Sequence, residues 1–166
     1  RMAKKDKGTS KTAPMRVLDD AGVPYEVHEH AHKQVTCEGV AQDLQIPIAQ
    51  VVKAMIVQTS DGRFALFVLP GDRRMSMKKV AAVMGDKHVS FAAGRDVLRA
   101  TGYEIGSVSV CGFRRADIPG YVDQTVMREP VAVISSGRPD AGISLASADL
   151  LKIVANAQLG DYSEPM

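Results

Sequence analysis

The chain has 166 residues, of which 45% are hydrophobic and 24% are charged. This mixture is that of a globular domain, and it excludes a disordered protein, a collagen-like repeat and a disulfide-stapled miniprotein. The formal net charge is +2, but the first twelve residues hold five basic side chains and one acidic side chain. The remaining body is mildly acidic, which argues against a protein that binds nucleic-acid duplexes through a basic face.

Residues 1–11 are polar and lysine-rich, and we predict a disordered basic tail there. No apolar core follows these lysines and no run approaches 18 apolar residues, so neither a signal peptide nor a membrane span is expected. These observations predict a cytoplasmic protein.

Helices are predicted where apolar residues recur every three or four positions. Thr36, Ser76 and Ser147 stand where an N-terminal cap is expected, and Gly22 and Gly85 stand where a helix would end. The predicted helices cover residues 13–21, 37–44, 77–84, 96–101 and 148–156.

Strands are predicted where polar and apolar residues alternate or where short apolar runs are bounded by turn residues. They cover residues 25–32, 51–58, 64–69, 89–91, 108–111, 121–125, 131–134 and 143–145. Ser60-Asp61-Gly62 forms a hairpin turn between the second and third of these strands. Mixed helices and hairpins indicate an α+β or mixed α/β class.

Lys53 is the most informative single residue. It lies in an apolar strand whose two faces both carry apolar side chains, which indicates a central strand. A lysine is rarely buried without a partner, so Lys53 is expected to open onto a pocket or to meet an anion. The alternative is a lysine that extends from a sheet edge into solvent.

Two segments rich in glycine and hydroxyl side chains are further candidates for a site. Between residues 101 and 112, Gly102, Gly106 and Gly112 imply sharp bends whose amides could bind an oxyanion, although Gly102 could equally be an ordinary helix cap. Residues 135–142 follow an apolar strand and could form either the rim of a pocket or a surface hairpin loop.

Histidines and cysteines offer weaker alternatives. His28, His30 and His32 share one face of a predicted strand, but three ligands on one straight strand span too far for a single Zn²⁺ ion. A pocket-edge role for one of them, as a hydrogen-bond partner or proton carrier, is favoured instead. Neither Cys37 nor Cys111 has the neighbours of a nucleophilic cysteine.

The order of these features resembles the YbaK/ProX family of free-standing trans-editing proteins, which are related to the editing domain of bacterial prolyl-tRNA synthetases. The resemblance covers residues 12–156. The segments that carry it are Gln50-Val51-Val52-Lys53-Ala54-Met55, Met77-Lys78-Lys79-Val80-Ala81, Thr101-Gly102-Tyr103 with Gly106, Ser109 and Gly112, Ser135-Ser136-Gly137-Arg138, Leu145-Ala146 and Asp149-Leu150.

The resemblance implies one editing domain over residues 12–160, an α+β fold with a mixed, strongly curved and partly barrel-like sheet flanked by helices. It also implies an aminoacyl-tRNA deacylase that hydrolyses the ester of mischarged tRNA, such as Cys-tRNA(Pro) or Ala-tRNA(Pro), without a metal or organic cofactor. Lys53 and Gly102 are the implied catalytic residues. The substrate-binding residues expected around them are His30, Thr101, Tyr103, Gly106, Ser109, Ser136 and Gly137.

The implied partners are the CCA end of a mischarged tRNA and prolyl-tRNA synthetase, with no membrane. The chain departs from the family pattern in four places. His30 replaces a frequent tyrosine, Val110 replaces a proline, and Gly142 replaces the aspartate of the cysteine-editing subgroup. Arg138-Pro139 stands where the family has Arg-Gly after the loop glycine. These departures leave the edited amino acid open. The alternatives are a catalytically silent module that binds tRNA or a synthetase, and a non-specific nucleic-acid binder, which the acidic body disfavours.

Overall fold

The computed structural model describes residues 11–166, so the predicted tail lies, except for Lys11, outside the described residues. Within this range the helices are α1 Ala13–Ala21, α2 Cys37–Leu44, α3 Met77–Met84, α4 Gly94–Thr101 and α5 Leu150–Ile153. The strands are β1 Glu26–Glu29, β2 Val52–Gln58, β3 Phe64–Pro70, β4 Arg73–Met75, β5 Ser90–Phe91, β6 Gly120–Asp123, β7 Val131–Ser135, β8 Ala141–Ala146, β9 Gln158–Gly160 and β10 Ser163–Pro165. None of the helices in residues 11–166 has the length and apolar content needed to span a lipid bilayer.

Helix ends lie where the capping residues predict them. The hydroxyls of Thr36 and Ser76 each accept a hydrogen bond from the amide three residues later, at the starts of α2 and α3. Gly22 and Gly85 end α1 and α3 in the left-handed conformation. These four boundaries are therefore confirmed.

The strands form three sheets. A five-stranded mixed sheet has the order β5-β2-β3-β6-β9, with β2 and β3 as an antiparallel hairpin and β3, β6 and β9 parallel. A three-stranded antiparallel sheet has the order β1-β8-β7, and β4 pairs with β10.

Two apolar cores lie on opposite faces of the five-stranded sheet. Val52 and Ile56 of β2 point into the larger core, which also contains α1 and the inner face of the three-stranded sheet. Val57 of β2 and Phe67 of β3 point into the smaller core beneath α3. Both faces of β2 are therefore covered, and the predicted central position is confirmed only at Val57 and Gln58, where β5 pairs with the second edge.

The backbones of the two larger sheets pair at one point among the described residues, a parallel bridge between Val51 and Val133. Beyond this bridge β2 and β7 diverge, and the sheets do not close into a barrel. The α+β class is confirmed. The predicted partly barrel-like sheet corresponds to two sheets that are joined only at this bridge.

The structure differs from the sequence prediction at short elements. Residues 108–111 are a loop, although Val110 and Cys111 are buried in the larger core, so their apolar character indicated burial and not a strand. The last helix ends at Ile153, because Val154 adopts an extended conformation. Strands β4 and β10 carry mainly charged or polar residues and lack the apolar alternation on which the prediction depends.

Asp123, at the end of β6, is completely buried and holds the C-terminal segment to the sheet. Its carboxylate accepts hydrogen bonds from the Tyr162 amide at 2.7 Å, from the Ser163 hydroxyl at 2.9 Å and from the Thr125 amide at 3.2 Å. Strand β10 therefore depends on a buried polar network as well as on pairing with β4.

Candidate active site

A cleft of about 370 Å³ opens where β2 and β7 diverge. Its walls come from β2, the start of α2, the loop after α4, and the facing ends of β7 and β8. Most of the lining side chains are apolar, and a volume of this size is typical of a site for a small ligand.

One wall of the cleft is an open strand edge. Strand β2 pairs with β3 along its whole length, but it pairs with β5 only at Val57 and Gln58. The Ile56 carbonyl accepts from the Ala92 amide on that same edge at 3.0 Å. Hydrogen-bonding groups of alternate residues face the same edge of a strand, so the N–H and C=O of Ala54 point there too. These two groups therefore offer the cleft a donor and an acceptor.

Lys53 lines this cleft and is half-buried. None of the ion pairs formed within residues 11–166 includes it. The pocket that the sequence led us to expect beside this lysine is present. A half-buried cation with no carboxylate partner in a mainly apolar cleft is poised to bind an anion or an electron-rich oxygen.

Cys37 lines the cleft at the first turn of α2. Burial raises the pKa of its thiol, while the charge of Lys53 acts in the opposite direction. Burial also raises the pKa of Cys111 to about 12, inside the larger core. Both side chains are therefore thiols at neutral pH, which is a poor state for a nucleophile.

His30 lines the cleft just after β1, with only 2% of its side chain exposed. Its Nδ1 lies 2.7 Å from Oδ2 of Asp43 on α2. His28, two residues earlier, instead contacts the Ser144 hydroxyl through Nε2 at 2.8 Å. Among residues 11–166 no three His, Cys, Asp or Glu side chains gather into a possible metal site.

In the glycine-rich segment after α4, Gly106 lines the cleft, whereas Thr101, Gly102, Tyr103 and Ser109 do not. The Gly102 amide donates to the Leu98 carbonyl at 2.8 Å as the helix cap. That amide is thus engaged, and the catalytic role that the resemblance implied for Gly102 stays a prediction.

The other residues of this segment brace the loop behind the cleft. Tyr103 donates its hydroxyl hydrogen to the Cys111 carbonyl at 2.7 Å. A Cβ atom at Gly112 would lie 2.8 Å from that hydroxyl and 2.9 Å from Cβ of Ala13, so no side chain fits there. Ser109 donates to the Ser135 carbonyl at 2.5 Å and thereby joins this loop to β7.

Ser136 and Gly137 also lie outside the cleft lining. The Ser136 hydroxyl is fully buried and donates to the Ala141 carbonyl at 2.6 Å, which closes the turn between β7 and β8. Their neighbours Ser135 and Arg138 line the cleft instead. The substrate contacts predicted for Thr101, Tyr103, Ser109, Ser136 and Gly137 stay predictions.

Comparison with known proteins identifies the family. A family model described as the aminoacyl-tRNA editing domain matches residues 31–153, about three quarters of the chain. The chain belongs to the aminoacyl-tRNA editing domain family. The resemblance stated from the sequence is confirmed, while the boundaries of the editing domain at residues 12 and 160 stay predictions.

Individual relatives agree with this membership. The editing domain is 28% identical over 164 residues to the candidate Cys-tRNA(Pro)/Cys-tRNA(Cys) deacylase EbsC of Enterococcus faecalis, with 98% of each chain covered. It is 30% identical over 125 residues to the proline–tRNA ligase of Bacillus licheniformis, covering 73% of this chain and 22% of the ligase. A crystal structure of a candidate trans-editing enzyme for prolyl-tRNA synthetase superposes with a TM-score of 0.82 at 25% identity, covering 94% of this chain and 99% of that one.

Several residues in or beside the cleft of the editing domain were missed by the sequence analysis. Asp43 was not predicted to lie near the site, because an aspartate within a predicted helix is expected on the solvent-exposed face. Val35, Phe91 and Ile105 are at least half exposed and form an apolar rim at the mouth of the cleft. Their proximity depends on two loops and strand β5 meeting in space, which no local pattern predicts.

Proposed function

We propose that this editing domain hydrolyses the ester of mischarged aminoacyl-tRNA and that the CCA end of the tRNA enters the cleft beside Lys53. The observation that carries the proposal is the half-buried lysine without an ion-pair partner among the described residues, set in a mainly apolar cleft. A terminal phosphate or ribose oxygen supplies the electron-rich partner that this ammonium lacks.

The open edge of β2 supports hydrolysis in particular. The Ala54 amide is a fixed donor next to Lys53, and a fixed backbone donor can stabilise the oxyanion that forms when an ester carbonyl is attacked. In this proposal the Ala54 amide stabilises the oxyanion, a role that the sequence suggested for amides around Gly102. An aminoacyl ester is already activated, so positioning and oxyanion stabilisation suffice.

We propose small amino acids as the groups removed. The relative in Enterococcus faecalis carries a name that specifies cysteinyl-tRNA, and the chain has Gly142 beside the cleft where extra atoms would narrow it. One methylene changes binding by only about 1–3 kcal/mol, so a synthetase benefits from a second site that removes small wrong amino acids.

Prolyl-tRNA synthetase is the partner we propose, because the editing domain matches segments of several proline–tRNA ligases. These matches span 14–22% of the ligases' own length, so the ligase activity itself is not transferred to this chain. The cytoplasmic location predicted from the sequence stays a prediction.

A deacylation panel tests the proposal. Cys-tRNA(Pro), Ala-tRNA(Pro), Pro-tRNA(Pro) and Cys-tRNA(Cys) are incubated with the full chain, and loss of the aminoacyl group is followed against the uncatalysed rate. We expect at least one mischarged species to be hydrolysed more than about tenfold faster than without protein, and Pro-tRNA(Pro) to be spared. Binding of tRNA without hydrolysis of any species would instead indicate the silent binding module.

A further inference from the structure

A histidine that lines the cleft is paired with an aspartate outside the lining, and the family motifs do not include this pair. His30 is held from two sides: its amide donates to the Asp140 carbonyl at 2.9 Å, and its Nδ1 lies 2.7 Å from the Asp43 carboxylate. Asp43 itself is mostly buried, with 19% of its side chain exposed. The imidazole is therefore fixed in position and cannot rotate freely into solvent.

The pairing determines which ring nitrogen can act on a ligand. An ionised carboxylate only accepts hydrogen bonds, so Nδ1 carries a hydrogen, and in the neutral imidazole the lone pair is then on Nε2. Among residues 11–166, Nε2 has no hydrogen-bond partner. It lies 3.6 Å from the place that a Cβ atom would occupy at Gly142, another cleft residue. A proton acceptor thus faces the space beside Gly142.

No other side chain of the described cleft lining can act as the proton acceptor. Lys53 and Arg138 are cations, Cys37 is a thiol whose pKa is raised by burial, and no carboxylate lines the cleft among the described residues. The hydroxyls and the amide of the lining are not bases at neutral pH. An unprotonated imidazole is the one strong acceptor of a proton there.

We propose that His30 is the general base of the deacylation reaction and that Asp43 positions it, an inference that rests on the proposed function. Nε2 accepts a proton from water as the water oxygen bonds to the ester carbonyl carbon. When the tetrahedral intermediate collapses, the bond from carbon to the ribose oxygen breaks, and the proton passes from Nε2 to that oxygen. The products are a free amino acid and tRNA with its terminal hydroxyl restored.

Asp43 acts in this scheme through His30 alone. Its carboxylate stabilises the imidazolium that forms while the proton is held, and it fixes the tautomer with the lone pair on Nε2. Gly142 places no side chain against that nitrogen, since a Cβ atom there would lie 3.6 Å from Nε2 and 3.3 Å from Cγ1 of Val133.

The test measures single-turnover rates and KM for the best substrate of the deacylation panel. His30→Ala and His30→Gln are expected to lower the rate by about 10²–10³-fold with KM changed by less than about threefold. His30→Gln can still donate a hydrogen bond to Asp43 and so guards against a folding defect. Asp43→Asn is expected to lower the rate by about 10-fold or more, because the imidazole loses the carboxylate that fixes its tautomer and stabilises its protonated form.

Added imidazole separates a missing base from a damaged structure. It is expected to restore a large part of the rate of His30→Ala, which has space for it, and none of the rate of Asp43→Asn. His28→Gln is the matched control, because His28 lies two residues away and contacts Ser144 outside the cleft lining. We expect it to react at the wild-type rate.

Two results would overturn the assignment of His30: a rate for both His30 variants within about threefold of wild type, or a lost rate that imidazole does not restore and that a raised KM explains. Either result leaves the proposed function standing, since wild-type turnover would already be measured. A wild-type chain that hydrolyses no member of the panel would instead overturn the proposed function.

Discussion

Lys53→Ala is expected to lower the single-turnover rate of deacylation by about 10²–10³-fold, the loss typical when one preorganised electrostatic contact to the reacting group is removed. The fold is expected to survive, because no ion pair within residues 11–166 depends on this side chain. Losing an unpartnered, half-buried ammonium leaves no buried carboxylate behind. The measurement is the rate on a mischarged tRNA together with the thermal midpoint.

Lys78→Ala is the matched control, since Lys78 is an exposed lysine on α3 whose removal changes the net charge equally. Lys53→Arg keeps the charge but changes the shape of the donor, so we expect a partial loss. Wild-type turnover by Lys53→Ala would show that this ammonium does not touch the reacting ester.

Asp123→Ala is expected to lower the free energy of unfolding by about 3 kcal/mol, because buried donors that lose their acceptor cost about 1–3 kcal/mol each. The Tyr162 amide, the Ser163 hydroxyl and the Thr125 amide would all lose this carboxylate. For a domain of this size, such a loss corresponds to a thermal midpoint lower by roughly 6–12 °C. Thermal and denaturant unfolding both measure the change.

Asp117→Ala provides the comparison for Asp123→Ala. Asp117 pairs with Arg115 at 2.6 Å, but its side chain is 66% exposed. An exposed pair contributes about 0–1 kcal/mol, so the midpoint should hardly move. Equal destabilisation by the two substitutions would mean that the buried network around Asp123 does not hold β10 in place.

Local signals were sufficient for most of the helices and the central hairpin. Thr36 and Ser76 cap their helices with their own hydroxyls, and the apolar hairpin of β2 and β3 needs only a turn and two apolar runs. Such features depend on residues a few positions apart. The sequence therefore predicts them without knowledge of the rest of the fold.

The cleft depends on contacts between distant parts of the chain, and local patterns do not predict these. The edge of β2 is open because β5 is only two residues long. The cleft exists because β7 forms its one bridge to this part of the described chain at Val51, just before β2. Lys53 stood out because a charge interrupts an apolar strand. Asp43 did not, since its partner His30 is thirteen positions away on another element.

The glycine and hydroxyl residues of the sequence correctly indicated which loops border the cleft. They did not indicate which residues of those loops line it. Gly106 and Ser135 line the cleft, while Gly102 and Ser136 use their polar groups inside their own loops. A motif identifies a loop of defined shape. Which of its groups remain free is settled by the hydrogen bonds that the folded loop makes.

The most direct test of the account is an NMR titration of the full chain with an aminoacyl-adenosine analogue in which an amide replaces the ester. We predict that the largest shifts of backbone amides occur at Ala54, Gly106 and Gly142, which border the cleft. A second cavity of about 280 Å³ beside Phe64 and Met84 serves as the internal comparison. Shifts confined to that cavity, or no shifts at all, would contradict the claim that the cleft receives the charged end of tRNA.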